Sequence, residues 1–200
     1  MSSSYDWRAR AAKLQSLFAS PTPIGTLHLP TGRILLGEPI ASGDLVPLDR
    51  TAPIGEFPVE VRLVEVEPGE SRIAAARIVF SAAPIASWEI ATGAGNASTP
   101  SANGLPGYSG GTGMFMDAHT FPLFQKYVDE CNSPGEWWYD VPRQEGHVWA
   151  YACFQPDEQT PYTCAYMAPV VSDDVFVSYW GLDAGGAPAA LVTDFNVVPM

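Results

Sequence analysis

What most constrains this chain is how often its apolar runs are broken: 18 glycines and 19 prolines are distributed over 200 residues. In a helix interior glycine costs about 1 kcal/mol and proline about 3 kcal/mol relative to alanine. Long helices are therefore disfavoured, and short strands joined by turns are favoured. Between residues 24 and 90 the runs IGTLHL, GRILLG, DLVPL, FPVEVRLVEVE, RIAAARIVF and IASWEIA read as strands, parted by LPTG, SG, APIGE and EPGES. Within residues 57–67, Val59, Val61 and Leu63 alternate to one side before Val64 and Val66 take over. Such a change of phase predicts a bulge, or a strand covered on both sides. The turn GES at 69–71 makes residues 72–80 the antiparallel neighbour of that strand.

Two helices frame these strands. Trp7, Ala11, Leu14, Leu17 and Phe18 fall at helical spacing, with Ser4 as the expected N-cap and Pro21 and Pro23 closing the segment. Phe121, Phe124, Val128 and Cys131 predict a second helix over about 120–131, with Pro122 tolerated in its first turn. Residues 92–110 lack apolar periodicity and read as a surface loop leading into the glycine turn 107–113. Strands return in HVWAYACF, PYTCAYMAP, VFVSYWGL and AALVTDFNVV, the last two joined by DAGG at 183–186. The expected fold is mainly β (α+β): an antiparallel sheet or sandwich of about ten short strands, with an N-terminal helix and one helix after Asp117. One domain is expected over 1–200, with 1–23 as helix and linker and 24–198 as the β-rich body.

Charge excludes some functions. Ten basic against 22 acidic residues give a formal charge of −12, which repels a phosphate backbone and argues against nucleic-acid binding. After Arg143 no Lys or Arg remains, while Glu145, Asp157, Glu158, Asp173, Asp174, Asp183 and Asp194 follow. No apolar run reaches the length of a membrane span, and the N-terminus has no signal-type apolar region, so a cytoplasmic protein is expected. Cys131, Cys153 and Cys164 form no CxxC pair and are expected to be buried thiols rather than disulfides or zinc ligands.

The residues that could carry chemistry are few. The glycine turn could cradle an anion on its backbone N–H groups, but no nearby lysine and no nucleotide-binding glycine pattern supports that. Asp117 ends an apolar strand before a helix, where it can accept backbone N–H bonds; with His119 it could also act as an acid–base pair or metal ligand. Spacing supplies no further ligands, so no metal and no cofactor is expected. His28 and His147 lie in strand-like segments without a serine or cysteine signature beside them. Trp137, Trp138 and Tyr139 form an aromatic cluster suited either to an interface or to plugging the core, and Asp173 and Asp174 lie beside the run Phe176, Tyr179, Trp180. Asp183 in DAGG is a turn residue first.

The segment GGTGMFMDA, followed by SYWGLDAGGAPAALVTDF near the end, resembles the bacterial domain of unknown function 4241 family. The resemblance spans roughly residues 24–198 and is carried by Asp117, Trp180, Gly181, Asp183 and Asp194. It departs where members tend to have an aspartate before the glycine turn, here Ser109, and a Gly-Trp-Gly-Asp-Gly-like run, here PVVSDDVF at 169–176.

Two functions stand against each other. The first is a non-enzymatic cytosolic module that binds a basic protein, of the immunity type, through candidate interface residues Trp137, Trp138, Tyr139, Asp173 and Asp174. The alternative is an enzyme or small-ligand protein with a pocket around the glycine turn, using Asp117, His119, Tyr179, Trp180 and Asp183.

Overall fold

The computed structural model describes residues 6–37, 45–93, 99–100, 105–110, 112–130, 150–155, 163–168 and 174–199. Twelve strands and two helices lie among them. The N-terminal half contributes α1 (Trp7–Leu17), β1 (Thr22–Leu29), β2 (Ile34–Gly37), β3 (Gly55–Glu67), β4 (Glu70–Val79) and β5 (Ser87–Ile90). Then come β6 (Thr99–Pro100), β7 (Pro106–Gly110), β8 (Gly113–Asp117) and α2 (Phe121–Glu130). The chain closes with β9 (Ala150–Phe154), β10 (Cys164–Ala168), β11 (Asp174–Leu182) and β12 (Pro188–Asp194). The fold is thus mainly β, as the punctuation of the sequence predicts, and every pairing is antiparallel.

The strands form two sheets. The larger has the order β1-β3-β4-β12-β11-β7-β6, with β5 also paired to β11; the smaller runs β2-β8-β10-β9. The long strand β11 is shared along one edge, its start pairing with β7 (Phe176 opposite Tyr108) and its end with β5 (Trp180 opposite Glu89). The bulge expected in the longest strand is present, as a register shift between Arg62 and Leu63 where β3 meets β4.

Alternation assigns each face. Phe176, Trp180 and Leu182 from β11, Leu191 from β12, Val59 and Val61 from β3 meet Ile34, Leu36, Phe115, Ala165 and Met167 of the small sheet in one core. The intervening residues of β11 and β12, Val177, Tyr179, Ala190 and Val192, pack with Ala11, Leu14 and Phe18 at α1. On the outer face of the small sheet, Met114, Met116 and Cys164 pack against Phe124 of α2. The layers therefore run α1, large sheet, small sheet, α2. Fully burying a leucine such as Leu14 contributes about 1.5–3 kcal/mol, enough to hold a short helix that would be marginal alone. The cap of α1 is Asp6, whose carboxylate accepts the N–H groups of Arg8 and Ala9 at 3.1 Å, rather than Ser4, which lies outside the described residues.

Two segments differ from expectation. DLVPL forms no strand in its described part; residues 45–52 run instead as a strap between the sheets. Leu48 N–H donates to Ile34 O (2.9 Å) and Ala52 N–H to Gly32 O (2.8 Å), while Asp49 N–H donates the other way to Thr92 O (2.7 Å). Pro47 has no donor, and pairing alternates between two partners, so no single ladder forms. The stretch 92–110 is likewise not all loop, since it contains β6 and β7. A glycine makes β7 possible: a Cβ on Gly107 would lie 2.4 Å from the carbonyl oxygen of Phe176. The twelve-residue glycine segment thus carries the chain from one sheet to the other, β7 in the large sheet and β8 in the small.

Candidate functional site

Asp117 is the last residue of β8 and is fully buried. Its Oδ1 accepts the Thr31 hydroxyl (2.7 Å) and the His119 N–H (2.8 Å); its Oδ2 accepts the N–H groups of Thr31 (2.9 Å) and Gly32 (3.0 Å). The first bonds of the following helix start from the same place, with the Thr120 hydroxyl donating to the Asp117 carbonyl at 2.8 Å. One carboxylate thereby fixes the β1–β2 turn against the entrance to α2. Gly32, at φ 69°, is part of this clamp, and a Cβ there would lie 2.2 Å from the Ala52 carbonyl oxygen. His119 contributes its backbone N–H to Asp117 while the residue is exposed.

The other residues singled out by the sequence part company. Trp180 faces the core between the sheets, whereas Tyr179 faces α1 and stacks on Trp7 with ring centroids 6.3 Å apart. Asp183 closes the β11–β12 hairpin, its Oδ1 accepting the N–H groups of Gly185 (2.8 Å) and Ala187 (2.9 Å). Asp194 is buried against Arg10 of α1 in a bidentate pair, Nε to Oδ2 at 2.5 Å and Nη2 to Oδ1 at 2.6 Å. Arg10 Nη1 also donates to the Val198 carbonyl and Lys13 Nζ to that of Pro199, which ties the first helix to the last residues. Each of the three carboxylates that carry the family resemblance is thus engaged by donors of the chain itself. Trp137, Trp138, Tyr139, Asp173 and His147 lie outside the described residues; Asp174 opens β11 opposite Gly110.

Two of the three cysteines can be placed, Cys131 lying outside the described residues. Cys153 pairs in register with Ala165 and Cys164 with Phe154, so the two cysteines point to opposite faces of the small sheet and are free. Burial pushes the Cys153 thiol from 9.0 up to about 12 and raises Cys164 well above its ordinary value. Among the described residues no group of three or more His, Cys, Asp or Glu is placed to hold a metal ion.

A groove of about 370 Å³ opens where the strap meets β5, lined by Asp49, Arg50, Glu89, Ile90, Thr92 and Trp180. Asp49 Oδ2 accepts the Thr92 hydroxyl at 2.8 Å, and Arg50 Nη2 donates to Glu89 Oε2 at 2.5 Å. Of these residues the sequence pattern pointed only to Trp180. The available signal was slight: LDRTAP sets two opposite charges between prolines, and Glu89 interrupts an otherwise uncharged strand, SWEI.

No helix among the described residues is long and apolar enough to cross a membrane. No curated protein and no solved structure matches the chain. The profile described as "Protein of unknown function (DUF4241)" matches residues 27–193, from β1 through β12. The match takes in Asp117 and the final hairpin, and the chain belongs to the DUF4241 family.

Proposed function

We propose that the chain is a non-enzymatic, cytoplasmic protein-binding module whose partner is basic, of the immunity type. The observation that supports this is the allocation of charge. The formal charge is −12, and among the described residues Asp117 and Asp194 are buried and satisfied, while Asp6, Asp49, Glu65, Glu89 and Glu130 are exposed. Five of the ten basic residues, Arg10, Arg50, Arg72, Arg77 and Lys126, are engaged by carboxylates of the chain. Glu56, Glu67 and Asp129 are exposed, with no cation within ion-pair distance among the described residues. Such a surface accelerates encounter with a basic partner and repels acidic ones. The Cys153 and Cys164 thiols, held protonated by burial, and the occupied carboxylate of Asp117 count against the enzyme reading at those places.

Native mass spectrometry of the intact chain with its source lysate, at low and high salt, tests the proposal. A complex with a basic protein that weakens with salt, and with a Glu56→Gln, Glu67→Gln, Asp129→Asn triple variant, is expected. No salt-sensitive protein complex under either condition rejects it.

A further inference from the structure

We propose that the groove between the strap and β5 receives one arginine or lysine side chain of the basic partner; this rests on the protein-binding reading and names its point of contact. The charges are unbalanced in favour of a cation, since two carboxylates, Asp49 and Glu89, line the groove with one guanidinium, Arg50, which pairs with Glu89. Asp49 uses Oδ2 on Thr92 and Glu89 uses Oε2 on Arg50, while the second oxygen of each accepts no hydrogen bond among the described residues. An incoming guanidinium or ammonium finds two charged acceptors, the partners with which such groups form their strongest hydrogen bonds.

The site already shows what it accepts. Arg50 rests its own guanidinium on Glu89, so a second cation either shares Glu89 through Oε1 or takes the place of Arg50. Both residues are accessible, Arg50 at 33% and Glu89 at 52% of side-chain area. The volume of about 370 Å³ sits at the small end of ligand pockets, which run from about 300 to 1,000 Å³. That suits one long side chain. An anion seeking Arg50 would instead meet two carboxylates.

Titration of N-acetyl-arginine methylamide into the intact ¹⁵N-labelled chain, followed by NMR, tests this directly. Shifts confined to the amides of Asp49, Arg50, Glu89 and Thr92 and the Trp180 indole are expected, with none from the citrulline or glutamate analogues at equal concentration. Arg50→Gln removes the built-in competitor and tightens the probe about 2- to 5-fold, whereas Glu89→Gln weakens it by a similar factor. Equal shifts from citrulline, shifts scattered over the acidic surface, or no tightening in Arg50→Gln overturn the proposal. With the protein complex itself, an Asp49→Asn, Glu89→Gln double variant is expected to weaken binding more than Glu56→Gln, Glu67→Gln. A salt-sensitive complex indifferent to the groove variant overturns the groove and leaves the protein-binding reading standing. If no such complex exists that reading fails, and the arginine titration alone decides the groove.

Discussion

Replacing Asp117 by asparagine removes the charge, keeps the shape and asks whether the carboxylate is a clamp. Asparagine retains one acceptor oxygen. If its amide nitrogen takes the Oδ1 position, the Thr31 hydroxyl can reverse and accept, but the His119 N–H then faces another donor. If the nitrogen takes the Oδ2 position, the N–H groups of both Thr31 and Gly32 are stranded. The first orientation is cheaper: one bond to a charged acceptor is lost and the others fall to neutral strength. Hydrogen bonds to charged groups contribute about 1.5–3 kcal/mol each, so a loss of about 3 kcal/mol is expected. For a chain of 200 residues that corresponds to a fall of about 6–12 °C in Tm. Urea unfolding followed by tryptophan fluorescence should show the midpoint lowered by roughly 1–1.5 M with the slope unchanged. A cost below about 0.5 kcal/mol, combined with loss of partner or ligand binding, would refute the clamp and return Asp117 to the functional residues.

Three further outcomes follow from the packing. Arg10→Met leaves Asp194 charged and buried without its partner, which costs about 3–5 kcal/mol in denaturant unfolding, while Arg10→Met with Asp194→Leu recovers most of it. Gly107→Ala brings a methyl group within 2.4 Å of the Phe176 carbonyl oxygen, so hydrogen exchange should show the β7–β11 pairing opened while β3–β4 stays protected. With the Cys153 thiol raised to about 12, native labelling by a thiol reagent at pH 8 is expected to be far slower than in urea. Because the unfolded thiol deprotonates near 9.0 and the folded one near 12, its contribution to stability is constant below pH 9 and is lost as pH rises from 9 towards 12. Stability rising over that window would contradict the burial.

The two long strands of the first half were legible because their signals are local. Val59, Val61 and Leu63 give the period, the phase change at Leu63 and Val64 gives the bulge, and Gly69 gives the turn. The α2 helix was legible for the same reason, in Phe121, Phe124 and Val128. The strap and β7 were not, since their hydrogen bonds go to residues far away in sequence, Leu48 to Ile34 and Asp49 to Thr92, and Tyr108 to the strand of Phe176. Asp117 was recognisable as a helix-entrance residue, but its hold on Thr31 and Gly32 depends on β2 pairing with β8. Pairing of Asp49 with Thr92 and Arg50 with Glu89 spans about forty residues, and no motif records it.

The tie between Arg10 and Asp194 has a consequence for synthesis. These partners are separated by 184 residues, so the first helix leaves the ribosome long before the strands it covers exist. At 5–20 residues per second the interval is about 10–40 s. Throughout it Leu14 and Phe18 must stay solvated or chaperoned, and the guanidinium must wait for its carboxylate. Docking of α1 therefore waits for β12, which makes the first helix one of the last elements to settle.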